Sequence, residues 1–154
     1  MKKRLFPTGS GYMCSYSSVN GGPSCAGGPN QLYEKLSRNE WNMTGYVVSD
    51  CQAVRHLTSN DTTTPCTEEP CFETFAVNAT HGAAASLEGG TTIECDRVYG
   101  ASLPPAIAQN LTSVATLKRM VGYTLKTLIQ AGVMDPLEQQ PYTKIGLEVV
   151  GSGK

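Results

Sequence analysis

One carboxylate stands out for its setting. Asp50 ends the run Gly45-Tyr46-Val47-Val48-Ser49, which is apolar without alternation, the pattern of a parallel strand covered on both faces. An aspartate at the carboxyl end of such a strand lies where α/β barrels gather their catalytic groups. A carboxylate in that place can take part in catalysis. The same residue type also finishes strand-end turns without doing any chemistry, so the pattern alone leaves both roles open. Tyr16 closes an earlier apolar run, Tyr12-Met13-Cys14-Ser15-Tyr16. A phenol in that place either holds a neighbouring carboxylate by a hydrogen bond or caps the core as a half-buried ring.

Six cysteines, Cys14, Cys25, Cys51, Cys66, Cys71 and Cys95, are disulfide candidates. Their pairing is open, apart from a local Cys66 to Cys71 closure that their spacing permits. Four Asn-x-Thr sequons, at Asn42, Asn60, Asn78 and Asn110, accompany them. Cysteines and sequons together point to a secreted glycoprotein; the competing account is chance sequons and reduced core cysteines. Met1 to Ser10 has a basic start but no apolar stretch of signal-peptide length, which places the expected leader upstream of this chain. No transmembrane run is present.

Other chemistries find little support. His56 and His81 are not set in a metal-ligand spacing, and Cys66 and Cys71 lack a second ligand pair, so no metal is expected. No Gly-rich dinucleotide or phosphate loop and no nucleophile elbow occurs, so no cofactor is expected. A net charge of -1, with Lys2, Lys3 and Arg4 as the one basic cluster, offers nothing to a nucleic acid or an anionic membrane.

The elements that must position these residues alternate. After the run ending at Tyr16 comes a Gly/Pro/Asn-rich loop through Asn30, then a helix over Gln31 to Glu40 with Asn30 as cap and Leu32, Tyr33 and Leu36 on one face. The strand ending at Asp50 comes next. Thr58 to Pro70 reads as a surface insertion, a short helix fits Thr80 to Leu87 with Gly89-Gly90 ending it, and Thr91 to Cys95 is a third, weaker strand. From Ser113 the spacing of Val114, Leu117, Val121, Leu125 and Leu128 predicts a helix that stops by Gly132 and Pro136. Strand and helix in this order imply parallel α/β architecture with right-handed crossovers. A closed (β/α)8 barrel takes about 250 residues, so a chain of 154 residues supplies only a part.

Taken in order, Met13-Cys14-Ser15-Tyr16, Val19-Asn20-Gly21-Gly22-Pro23-Ser24-Cys25, Trp41, and Gly45-Tyr46-Val47-Val48-Ser49-Asp50-Cys51 resemble glycoside hydrolase family 3. The likeness continues through Ala83 to Ala85, Gly90 to Cys95 and Gly132-Val133-Met134-Asp135-Pro136, from Gly11 to Val150. Cys14, Cys25, Cys51 and Cys95 look like the β-xylosidase branch, whereas branches acting on glucosides more often place Trp where Cys51 stands. The resemblance implies that Asp50 is the nucleophile of a retaining exo-acting β-glycosidase and that Tyr16 lies beside it on the sugar-binding side. It also implies a fold: the C-terminal portion, about three βα units, of an incomplete (β/α)8 barrel. Residues 1–10 would be an unmatched lead, 11–132 barrel with an insertion at 58–71, and 133–154 a linker towards a second domain. The expected partners are a β-linked oligosaccharide or glycoside and the missing parts of the parent chain. The acid/base and the groups that bind the sugar hydroxyls would lie outside this segment, leaving it inactive alone.

Three departures from the family pattern matter: Ser17 where Asn is commoner, Asn42-Met43 where Gly-Phe is usual, and Thr92 where the third strand usually carries Asp. The last motivates an alternative, a non-catalytic secreted module that keeps the scaffold for carbohydrate or protein binding. A small disulfide-stapled domain unrelated to barrels rests on the cysteine count alone.

Overall fold

The computed structural model describes residues 11–28, 31–58 and 75–153. Its centre is a parallel pair, β1 (Gly11–Cys14) and β4 (Tyr46–Ser49), in the register Tyr12 to Val47 and Met13 to Val48. The third apolar run contributes less than a full strand: Ile93 makes one parallel bridge to Val48, with Ser49 N–H donating to the Ile93 carbonyl at 2.8 Å. Here a side chain takes over part of the ladder. The hydroxyl of buried Thr92 accepts from Val47 N–H and donates to the Val47 carbonyl, each at 3.1 Å.

The first strand is shorter than the sequence suggests, because the chain leaves the ladder after Cys14. Instead of an open loop, the next residues make a hairpin. Ser18–Val19 (β2) and Gly22–Pro23 (β3) pair antiparallel across an Asn20-Gly21 turn with φ of 50° and 81°. Asn and Gly are the residues that tolerate this left-handed pair, so the turn is set by composition.

The crossover helix Leu32–Glu40 is a π-helix, closed by wide bonds such as Trp41 N–H to the Leu36 carbonyl at 3.0 Å. It is preceded by Gln31 at positive φ and has no side-chain cap; Asn30 lies outside the described residues. The wider turn changes which residues face inward: Tyr33, Ser37 and Arg38 are buried, while Leu32 and Leu36 are half-buried. Arg38 is accommodated by an ion pair to Glu34 at 3.1 Å and by lying 4.2 Å over the ring of Tyr123.

Among the described residues, three α-helices complete the layer: α1 (Ala79–Glu88), α2 (Val98–Ala108) and α3 (Val114–Gln130). Asn78 caps α1 and Ser113 caps α3, each accepting a backbone N–H three residues on. α2 runs through Pro104 and Pro105, a pair that disguises it in the sequence. Two apolar clusters hold these parts together. Cys14, Cys25, Tyr33, Val47, Val54 and Leu57 pack under the strands; Ala83, Leu87, Leu103 and Met120 pack between the helices. The close fit of α1 against the loop after β3 depends on Gly89, where an added Cβ would meet the Ala26 carbonyl at 2.4 Å.

Burial is one-sided, against the expectation of cover on both faces. Cys14, Val47 and Ser49 are buried, but the opposite face carries Met13 at 61% exposure with half-buried Val48 and Ile93 beside it. α3 forms where its spacing predicts, yet Met120 is its one buried residue; Val121 and Leu125 are each 42% exposed. The tail beyond Gly132 is a series of single 3-10 turns. Residues 59–74, which hold Asn60, Cys66, Cys71 and most of the expected insertion, lie outside the described residues.

Candidate functional site

Asp50 sits one residue beyond β4, and its N–H still donates to the Cys14 carbonyl at 2.8 Å, so the sheet ladder fixes its backbone. Strand alternation carries its side chain to the side of Val48, the uncovered face. One carboxylate oxygen accepts the Cys51 N–H at 2.8 Å. The residue is half-buried, so the carboxylate keeps contact with solvent.

Tyr16 reaches this place from the end of β1. Its hydroxyl donates to the Cys51 carbonyl in a short hydrogen bond, and its ring meets His56 edge-on at 5.6 Å and 87°. Desolvation raises the phenol's pKa above the ordinary tyrosine value, and the charge of Asp50 and a hydrogen bond to it push the same way. The structure therefore brings Tyr16 and Asp50 together. His56 joins them, a neighbour that sequence reasoning misses because it stands outside any ligand or triad spacing.

Among the described residues, two disulfides tie the strand ends. Cys14–Cys25 is buried and anchors the hairpin loop under β1. Cys51–Cys95 joins the residues that directly succeed Asp50 and Glu94, with Cys95 N–H also donating to Ser49 Oγ at 3.0 Å. Both of its cysteines are exposed. Of the six candidates, Cys66 and Cys71 lie outside the described residues.

Glu94 is a second acid at a strand end, but it faces the other way. Its carboxylate accepts the Tyr99 N–H at 3.3 Å and so serves the amino terminus of α2. Burial raises its pKa above the usual carboxylate value, against the pull of the Tyr99 and Val98 backbone N–H groups, and its second oxygen has no hydrogen-bond partner. Thr92 is likewise committed, to the backbone of Val47 and to the Thr124 hydroxyl at 3.2 Å. An open cavity of about 400 Å³ lies between the amino ends of α1 and α2, lined by Arg55, Asn78, Asp96 and Arg97 among others. It does not include Asp50, which stands on the open sheet face instead.

The three described sequons, at Asn42, Asn78 and Asn110, are exposed. Asn42 and Asn110 occupy left-handed turns, and the Asn78 side-chain oxygen is taken up capping α1.

No family model matches the chain. It is 33% identical over 137 residues to a probable exo-1,4-beta-xylosidase of Aspergillus terreus, covering 87% of this chain and 16% of that protein. A beta-xylosidase/alpha-L-arabinofuranosidase of Medicago sativa subsp. varia is 33% identical over 135 residues, with the same coverage of 87% and 16%. Among solved structures, a GH3 exo-beta-xylosidase in complex with a xylobiose aziridine activity-based probe superposes with a TM-score of 0.73 at 34% identity, covering 93% of this chain and 17% of that one. A β-glucosidase from Listeria innocua in complex with isofagomine, at 24% identity and a TM-score of 0.63 over 88% of this chain and 16% of that one, shares the fold. The chain thus spans about a sixth of the length of the curated relatives it matches.

Proposed function

From its relationship to glycoside hydrolase family 3 exo-β-xylosidases, which extends over 87% of its length, we propose that this chain is the nucleophile-bearing part of a retaining exo-β-glycosidase acting on terminal β-xylosides. The observation that carries the reading is the setting of Asp50. It ends the central one of three parallel segments, on the uncovered face, with Tyr16 beside it and one backbone N–H on its carboxylate. That face becomes the inside of a (β/α)8 barrel once further strands close it, and residues 11–132 are the share this chain contributes. Residues 133–154 lead on to a second domain.

In this mechanism Asp50 attacks the anomeric carbon and forms a glycosyl ester, which water then hydrolyses with help from a second carboxyl group about 5 to 5.5 Å away. Glu94 is engaged at the amino end of α2, and by the resemblance to family 3 the second carboxyl comes from outside this segment, which leaves the chain alone inactive. No cofactor enters the reaction. Exposed sequons at Asn42, Asn78 and Asn110 and the exposed Cys51–Cys95 bridge support a secreted parent protein.

The test is covalent trapping. A 2-fluoro-xyloside with a good leaving group, given to the longer protein that carries this segment, should label Asp50, and Asp50→Asn should lower turnover by about 10³-fold or more. A label on another side chain, or an unimpaired variant, refutes the assignment. The second reading, a non-catalytic binding module, is favoured by Thr92, whose hydroxyl is tied to Val47 where an acid is expected. It predicts glycan binding without turnover.

A further inference from the structure

The residue after Asp50 is the meeting point of three interactions. Cys51 N–H donates to the Asp50 carboxylate at 2.8 Å. Its carbonyl accepts the Tyr16 hydroxyl. Its sulfur is bonded to Cys95. Through Cys95, whose N–H donates to Ser49 Oγ at 3.0 Å, it is returned to the end of the strand that precedes Asp50. The segment 51–54 is otherwise a turn, with Ala53 N–H closing on the Asp50 carbonyl at 3.0 Å. Without the sulfur bond, the peptide that both donates to Asp50 and accepts from Tyr16 has no covalent tie to the neighbouring strand.

We propose that the Cys51–Cys95 disulfide is a reducible positioning element, which fixes the Cys51 peptide and through it the relation of Asp50 to Tyr16. The part concerning catalysis rests on Asp50 as nucleophile; the part concerning geometry does not. The two disulfides differ in access. Cys51 and Cys95 are exposed, whereas Cys14 and Cys25 are 0% and 1% exposed, so of these two described pairs a reductant reaches the first in the folded chain. The step is an exchange with an external dithiol. A reagent thiolate attacks one sulfur, the Cys51–Cys95 bond breaks, and a mixed disulfide forms. The reagent's second thiol then closes its own ring disulfide, leaving both cysteines as thiols after transfer of two electrons and two protons.

The experiment tracks both reduction and geometry. The folded chain is treated with dithiothreitol; differential alkylation and mass spectrometry report which cysteines open, circular dichroism reports the fold, and NMR at the Tyr16 ring carbon, assigned with Tyr16→Phe, reports the phenol's titration. Cys51 and Cys95 should open at least about tenfold sooner than Cys14 and Cys25. The Tyr16 titration should then move down towards the ordinary tyrosine value with the circular dichroism unchanged, and return on reoxidation. The pair Cys51→Ser with Cys95→Ser should reproduce the shift without reductant. An unmoved titration after verified reduction, equal opening of both pairs, or general unfolding would each overturn the proposal. In the longer protein, reduction should cost up to about 10²-fold in kcat with a smaller change in KM. If the Tyr16 shift occurs but a mechanism-based label falls elsewhere than Asp50, the nucleophile reading fails and the positioning element stands; the reverse result removes the element alone.

Discussion

The hydroxyl of Tyr16 donates to the carbonyl of Cys51, so the ends of two parallel strands are joined one residue past the candidate nucleophile. Tyr16→Phe removes this donor and keeps the ring against His56. The variant should lose about 0.5 to 1 kcal/mol in a urea titration, the size of one part-exposed hydrogen bond. In the longer protein it should lower kcat more than it raises KM.

Glu94 should leave a signature in the dependence of stability on pH. Its folded pKa is raised, chiefly by burial, so the folded chain holds this proton more tightly than the unfolded one. The associated stability is fully present below the ordinary carboxylate pKa and is lost as pH rises through the raised value. Chemical denaturation between pH 4 and 8 should show that decline, measured at about half-unit steps. Glu94→Gln, neutral throughout, should flatten it.

At Gly89 the space for a side chain is already taken. A Cβ there would lie 2.4 Å from the carbonyl of Ala26, backbone that has no rotamer to yield. Gly89→Ala should destabilise by about 1 to 3 kcal/mol, the cost of overpacking, whereas Gly100→Ala, with open space around it, should not. Parallel melts of the two variants separate close approach from any general effect of losing glycine.

The outer face of α3 should make the isolated chain sticky. Val121, Leu125 and Ile129 are 42%, 42% and 59% exposed along one helix. Size-exclusion chromatography should find self-association, and a hydrophobic dye should bind. Val121→Lys with Leu125→Glu should suppress both with less than about 0.5 kcal/mol change in stability, as expected for surface positions. A sharply melting monomer that binds no dye would contradict this.

How far the sequence speaks depends on the kind of interaction. The strand ending at Asp50 is legible as an unbroken apolar run, α3 because its apolar residues repeat at one period, and α1 because Gly89-Gly90 ends it; its Asn78 cap shows only in the structure. The relation between Tyr16 and Asp50 comes from the order of motifs, not from any local pattern. Four features escape. α2 hides behind Pro104-Pro105, which read as a break. The π-helix hides because its extra residue per turn puts Ser37 and Arg38 inside, positions that an ordinary helical period assigns to water. The pairing of Cys51 with Cys95 depends on which strands lie side by side, and that is a property of the fold. Burial of α3 escapes for another reason: an apolar stripe announces that a partner exists without saying that it lies on the same chain.

Exposed Met13, with half-buried Val48 and Ile93 beside it, bears on more than solubility. It leaves the half-buried Asp50 beside a water-exposed face, where the dielectric constant is high and any charge forming on a bound sugar would be stabilised by solvent almost as well as by protein. A surface of this kind has little electrostatic leverage over a transition state. Whatever closes over these three side chains therefore contributes twice, once by adding groups of its own and once by drying the ground on which Asp50 stands.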